Sequence, residues 1–159
     1  MSTDPNMNKK ILAVIVSSVF FVGCATTSGN KNTTDEKAEV QNALTELKNG
    51  VSIHFANNSS QIDPQYQPYL LSAAKGLAQS PDFKLKIDGH TDGSGTKAVN
   101  QKLSLARANS VATVLVAEYG VNSDQLITEG FGSAQPIASN STAEGRATNR
   151  RATVTLVTP

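Results

Sequence analysis

The stretch FKLKIDGHTDGSG (83–95), running into TKAVNQKLSLARANSVATVLVAEY (96–119), decides the fold. Phe83, Leu85 and Ile87 alternate with Lys84, Lys86 and Asp88, the period-two pattern of a strand with one buried face. Gly89, Gly93 and Gly95 then punctuate a loop that lets the backbone approach a ligand. A long helix is expected from about Lys97 to Tyr119, with Gly120 as its stop.

Outward from this unit the pattern repeats. Val51 to Phe55 (VSIHF) alternates as a strand, with His54 on its surface, and Asn57 to Ser60 reads as a turn. Asp63-Pro64 reads as the cap and first position of a helix carrying Tyr66, Tyr69, Leu70, Ala73, Ala74 and Leu77 on one side. Pro68 delays the regular part of that helix by about a turn. Leu126 to Gly130 is a third strand, 132–145 a polar loop, and RRATVTLV (150–157) a fourth strand. Ahead of them all, residues 35–49 form a helical lead-in with Ala38, Val40, Ala43, Leu44 and Leu47 mostly at three-to-four spacing, stopped by Asn49-Gly50.

Strand–helix–strand units predict parallel pairs. The last strand arrives without a long helix, so it is expected to run antiparallel. The fold class is therefore α+β: a two-layer sandwich, with a mixed parallel and antiparallel sheet covered by helices on one face. This domain occupies residues 50–159. Four strands are too few for a membrane barrel, which needs at least about eight.

Composition narrows the function. The whole chain of 159 residues carries a formal net charge of +1, too little field to draw nucleic acid. Tryptophan is absent, which excludes a sugar platform of stacked indoles. One cysteine excludes an internal disulfide and a multi-cysteine metal site.

The N-terminus reads as an address. Lys9 and Lys10 precede the mostly apolar run ILAVIVSSVFFV (11–22), and Gly23-Cys24-Ala25 follows. The run is too short for a comfortable membrane span and suits a signal-peptide core. A start at Met7 leaves a cleaner charged segment ahead of it. The arrangement resembles the lipobox of bacterial lipoproteins, with Phe21 where Leu is usual. That resemblance implies a signal peptide over 1–23 and a diacylglycerol on Cys24; Ala25 after it favours sorting to the outer membrane. Removing 1–23 leaves 12 basic and 12 acidic residues, so attachment would rest on acyl chains. Residues 24–34, with the polar run TTSGNKNTT (26–34), read as the lipidated cysteine and a flexible tether.

The residues with chemistry to offer lie around the glycine loop. Asp92 sits just past the carboxyl end of its strand, where ligands settle in open sheets. Asn100 and Arg107 are seven apart on the following helix and share a face. A carboxylate and a guanidinium facing one pocket suit a zwitterion, the first taking an ammonium and the second a carboxylate. The same spacing also allows an Asp92–Arg107 salt bridge with no guest. If the pair serves a guest, replacing either residue by Ala is expected to leave thermal unfolding nearly unchanged.

Ile87-Asp-Gly-His-Thr-Asp92, Gly95, Asn100-x-x-Leu103-Ser104-x-x-Arg107-Ala108, Gly130-x-Gly132, Pro136 and Asn149-Arg150-Arg151 together resemble the OmpA-like domain family. The likeness covers about Val51 to Val157, with Ala152 where Val is usual. It implies non-covalent binding of peptidoglycan through the diaminopimelate of its stem peptide, with no cofactor and no catalysis. Asp92 matches the family's ammonium-binding position and Arg107 its carboxylate-binding position, while Thr91, Asn100, Leu103 and Arg150 match positions lining the same pocket. Lipobox and domain together resemble the Pal and YiaD types of outer-membrane lipoprotein, lipid-anchored on the periplasmic face.

Two rivals remain open on sequence. An envelope scaffold of Pal type, binding other envelope proteins, would look the same. A divalent-metal hydrolase would use Asp88, His90 and Asp92, which alternate at one strand end. A serine hydrolase lacks its G-x-S-x-G elbow. The cluster Arg146, Arg150 and Arg151 reads as solvated or sheet-bracing.

Overall fold

Helix α1 (Asn32–Asn49) opens the part of the chain that the computed structural model describes, residues 32–159. The signal peptide expected over 1–23, the Cys24 anchor and most of the tether lie outside those residues. Helix α1 begins three residues ahead of the expected lead-in. Its Val40, Ala43, Leu44 and Leu47 are buried while Ala38 is exposed.

The remaining elements follow in the expected order. Strand β1 is Val51–His54, α2 Gln67–Gln79, β2 Lys84–Gly89, α3 Lys97–Ala117, β3 Leu126–Gly130 and β4 Arg151–Val157. A 3-10 turn over Pro64–Tyr66 precedes α2, capped by the Asp63 side chain, which accepts from the Gln65 N–H at 3.0 Å. The prolines thus delay the α-helix as expected. Thr96 caps α3 by accepting from the Val99 N–H.

The sheet order is β1-β4-β2-β3. Strand β4 runs antiparallel to both its neighbours, and β2 pairs β3 in parallel across α3. One expectation needs correction: β1 and β2 run in the same direction but do not pair, because β4 inserts between them. Alternation places Ile53, Leu85, Ile87, Ala152, Val154 and Leu156 in one core with α1, α2 and α3. Each of these side chains larger than alanine contributes about 1.5–3 kcal/mol by leaving water. The opposite sheet face carries the polar Ser52, Lys84, Lys86, Thr153 and Thr155.

A second correction falls in the loop expected over 132–145. A short helix, α4 (Ala143–Asn149), starts there, with the Thr142 hydroxyl accepting from the Gly145 N–H at 3.0 Å. Its sequence AEGRATN has no apolar stripe, so periodicity could not reveal it.

Candidate ligand-binding site

Strand β2 ends on Gly89, directly beneath α3. A Cβ there would run into the Ser104 carbonyl, and one on Gly130 would stand 2.6 Å from the Leu105 nitrogen. Only glycine lets the carboxyl ends of β2 and β3 come this close to the helix. The loop beyond is then stitched down: His90 N–H donates to the Arg151 carbonyl at 2.8 Å and Thr91 N–H to the Gly132 carbonyl at 2.9 Å. Gly93 faces Asn140 instead of the cavity; of the three loop glycines only Gly95 lines it.

Thr91, Asp92, Asn100, Leu103, Arg107 and Arg150 all line one cavity of about 160 Å³. Given a water's share of roughly 30 Å³, that is room for one amino-acid head group. Gly95 was expected there as backbone approaching a ligand; sequence reasoning missed the other walls, Asn57, Asn58, Ser94 and Val99. Asn58 lies in the left-handed region at φ 51°, which asparagine tolerates better than most residues. The turn was legible at Asn57–Ser60, but nothing local says that it forms a wall of this cavity.

The charges are arranged differently from the simple pair. Asp92 and Arg107 are not bonded to each other. Asp92 Oδ2 accepts from Arg150 Nη1 at 3.0 Å, and its Oδ1 accepts from the Ser94 N–H at 2.9 Å. Burial works to raise the Asp92 carboxyl, but these hydrogen bonds outweigh it and hold the group below its ordinary value. Arg150 also donates through Nε to the Phe55 carbonyl at 3.3 Å.

Arg107 is 0% exposed. Its Nε donates to the Ser59 carbonyl at 2.9 Å, Nη1 to that of His90 at 2.8 Å and Nη2 to that of Ala56 at 3.2 Å. Three of its five N–H groups are thereby used, and two take no acceptor from the described protein. Burial and the neighbouring Arg150 push its pKa down to about 10, so it stays cationic at neutral pH. Because it staples two loops, Arg107 cannot be truncated without cost to the fold, contrary to the expectation from sequence. Asn100 Nδ2 donates to the Ser94 carbonyl at 2.8 Å, closing the loop onto α3. The Thr91 hydroxyl is buried and has no hydrogen-bond partner, a condition shared among the described residues by Tyr69 Oη, Asp88 Oδ1 and His90 Nδ1 and uncommon for a buried polar atom.

Behind the cavity a second set of bonds holds the loops. Asn149 is fully buried; its Oδ1 accepts from the Ile137 and Ala138 N–H groups, and its Nδ2 donates to Asn140 Oδ1 at 2.9 Å. Asn140 Oδ1 in turn accepts from the Gly93 N–H at 3.0 Å. Arg146 and Arg151 also turn inward, donating to the Asn140 and Gln135 carbonyls.

The metal alternative fails on geometry. Asp88 is drawn to Lys86 at 2.9 Å, Asp92 to Arg150, and the His90 ring stacks on Phe131 with centroids 5.5 Å apart. Among the described residues no group of three His, Cys, Asp or Glu is placed to hold a metal ion. Burial, with Arg151 beside it, pushes the His90 pKa down to about 4.

Residues 54–150 match the OmpA family. The chain is 37% identical over 161 aligned residues to YfiB of Escherichia coli (strain K12), whose name classes it provisionally as a lipoprotein; the match covers 96% of this chain and 100% of that protein. It is 44% identical over 116 residues to the outer membrane protein Omp38 of Acinetobacter baumannii, covering 73% of this chain and 33% of Omp38. It is 40% identical over 119 residues to the peptidoglycan-binding protein ArfA of Mycobacterium bovis, covering 75% of this chain and 36% of ArfA. The chain thus spans about a third of the length of these two larger relatives. In three dimensions it resembles the crystal structure of the peptidoglycan-associated lipoprotein from Burkholderia pseudomallei, with a TM-score of 0.64 and 31% identity over 67% of this chain and 89% of that one. By the matched span and by these likenesses, the chain belongs to the OmpA family.

Proposed function

We propose that this protein is an outer-membrane lipoprotein that holds peptidoglycan without covalent bonds, gripping the diaminopimelate of a stem peptide and so tying the membrane to the wall. The observation that carries the reading is the cavity itself, where an ionised carboxylate, a buried guanidinium with two spare N–H groups and an unpartnered hydroxyl line one small space. The guest's ammonium goes to Asp92, which keeps acceptor capacity beyond Ser94 and Arg150. Its carboxylate goes to Arg107 and the Thr91 hydroxyl, while Leu103 packs against its carbon chain. Arg150 holds Asp92 in place, and Asn100 holds the loop. The chemistry is binding and not catalysis. Support also comes from the relatives, one named as peptidoglycan-binding and one as a peptidoglycan-associated lipoprotein.

A charge-assisted hydrogen bond nets about 1.5–3 kcal/mol. Two such contacts give about 3–6 kcal/mol, so even before the cost of association the affinity for one stem peptide is no tighter than about tens of micromolar. That suffices where acyl chains on Cys24 hold the protein facing a polymer of repeated stem peptides, at high effective concentration. Each buried CH₂ of those chains adds about 0.8 kcal/mol to the anchor.

Sedimentation with purified sacculi tests the reading. The wild type is expected to pellet and to be released by free diaminopimelate, while folded Asp92→Asn stays in solution. Pelleting of Asp92→Asn at the wild-type level would overturn the pocket assignment. Cys24→Ser is expected to accumulate as a precursor without lipid label; normal acylation of it would overturn the anchor.

A further inference from the structure

A second and larger groove, of about 600 Å³, lies further along α3, from Ala106 to Glu118. The two sites share a wall. Arg107 in the first follows Ala106 in the second, and the Ser59 carbonyl that accepts from Arg107 precedes Ser60 of the groove. The groove's chemistry differs sharply from that of the charged cavity. Gln61, Gln67, Asn109 and Thr113 bring amides and a hydroxyl to it beside the apolar Ile62, Ala106 and Val114. The Ser110 hydroxyl donates to the Ala106 carbonyl, and Glu118 is the groove's one charged group. The side-chain amides of Gln61, Gln67 and Asn109 make no hydrogen bond to the described protein, so they are open as both donors and acceptors.

We propose that this groove is a second subsite, which takes the neutral N-acetylated sugar that carries the stem peptide. The inference rests on the reading of the first cavity as a diaminopimelate site. Distance supports it. Thr113 lies about 9 Å along the helix axis from Arg107 at a rise of about 1.5 Å per residue. Two peptide residues separate diaminopimelate from the sugar linkage, and extended they span about 7 Å. Charge selects between the possible occupants. The stem peptide's other arm carries a carboxylate, which Glu118 repels and no cation in the groove attracts. Acetamido and hydroxyl groups match the amide lining, donor for acceptor, without a charge to desolvate.

The test compares two probes on the purified full-length protein by calorimetry: a free tripeptide ending in diaminopimelate, and the same tripeptide joined to its N-acetylated disaccharide. The disaccharide form is expected to bind at least about threefold more tightly, through roughly one further hydrogen bond. Asn109→Ala with Thr113→Val is expected to erase that advantage and leave the free tripeptide's affinity unchanged. Equal affinity of the wild type for both probes would overturn the subsite. So would a loss of free-tripeptide binding in the double variant, since the peptide and not the sugar would then occupy the groove. If neither probe binds the wild type, the diaminopimelate reading itself has failed, and the subsite with it.

Discussion

The carboxylate of Asp92 and the guanidinium of Arg150 meet at 3.0 Å beside the cavity, joining the loop after β2 to the start of β4. Both side chains are largely buried, at 7% and 17% exposure. Arg150 therefore orients the acid, and Arg107 keeps its spare donors for something else. A site built on two arginines and one aspartate carries a net positive charge before its guest arrives, which favours a guest bringing a free carboxylate.

Arg107 should be the most costly position of the site to truncate. Arg107→Ala leaves the carbonyls of Ala56, Ser59 and His90 without their donor. Of these only His90 is buried, and a buried acceptor stripped of its partner costs about 1–3 kcal/mol, whereas half-buried Ser59 and exposed Ala56 can turn to water. The variant should lose at least about 1 kcal/mol of stability. Urea denaturation at pH 7 measures this, and an unchanged midpoint would contradict the staple.

Thr91→Val separates binding from folding. The hydroxyl contributes no hydrogen bond in the free protein, so unfolding should be unchanged or slightly harder. Binding of a diaminopimelate peptide should weaken by about 2- to 12-fold, the worth of one neutral hydrogen bond. Equal affinities in calorimetry would show that the hydroxyl does not face the guest.

His90 should make stability pH-dependent. Its pKa falls from an unfolded value of 6.5 to about 4 in the fold, so the unfolded chain binds the proton more readily. Its contribution is complete above pH 6.5, erodes as the pH falls toward 4, and amounts to about 3 kcal/mol. The slope should be shallower over the same window in His90→Gln, leaving the part due to Asp92. NMR titration should find the His90 ring neutral at pH 5.5, and a ring protonated there would refute the burial argument.

Gly89→Ala should break the seat of the loop. The added methyl collides with the Ser104 backbone of α3, which cannot yield as a flexible side chain would. A destabilisation of about 3 kcal/mol is expected from forced separation of strand and helix. Loss of sacculus binding should accompany it, since Thr91 and Asp92 hang on that strand end. Thermal unfolding close to the wild type would argue that the helix sits further from the strand.

Much of this was legible along the chain. Leu85 and Ile87 announce β2 because alternate residues of a strand face opposite ways, and Leu103 with Arg107 announce a helix face because its turns bring every fourth residue round. These periods belong to the backbone and need no partner to be read. Helix α4 was hidden because its seven residues carry no such period and are held by the Thr142 cap and by Asn149. The Asn57–Asn58 wall was hidden because a turn's residues say how the chain bends and not what it bends toward.

By itself the sequence determined the elements other than α4, their order and the glycine-hinged loop, since these follow from short-range spacing. That Thr91, Asn100, Leu103 and Arg150 share a cavity with Asp92 and Arg107 was implied by the resemblance to the OmpA-like domain. Only the tertiary structure decided which arginine holds Asp92. Arg150 is 58 residues away and reaches it because β4 inserts between β1 and β2. Pairing at that range is settled by the packing of one sheet against three helices, a sum over many contacts that no local pattern records.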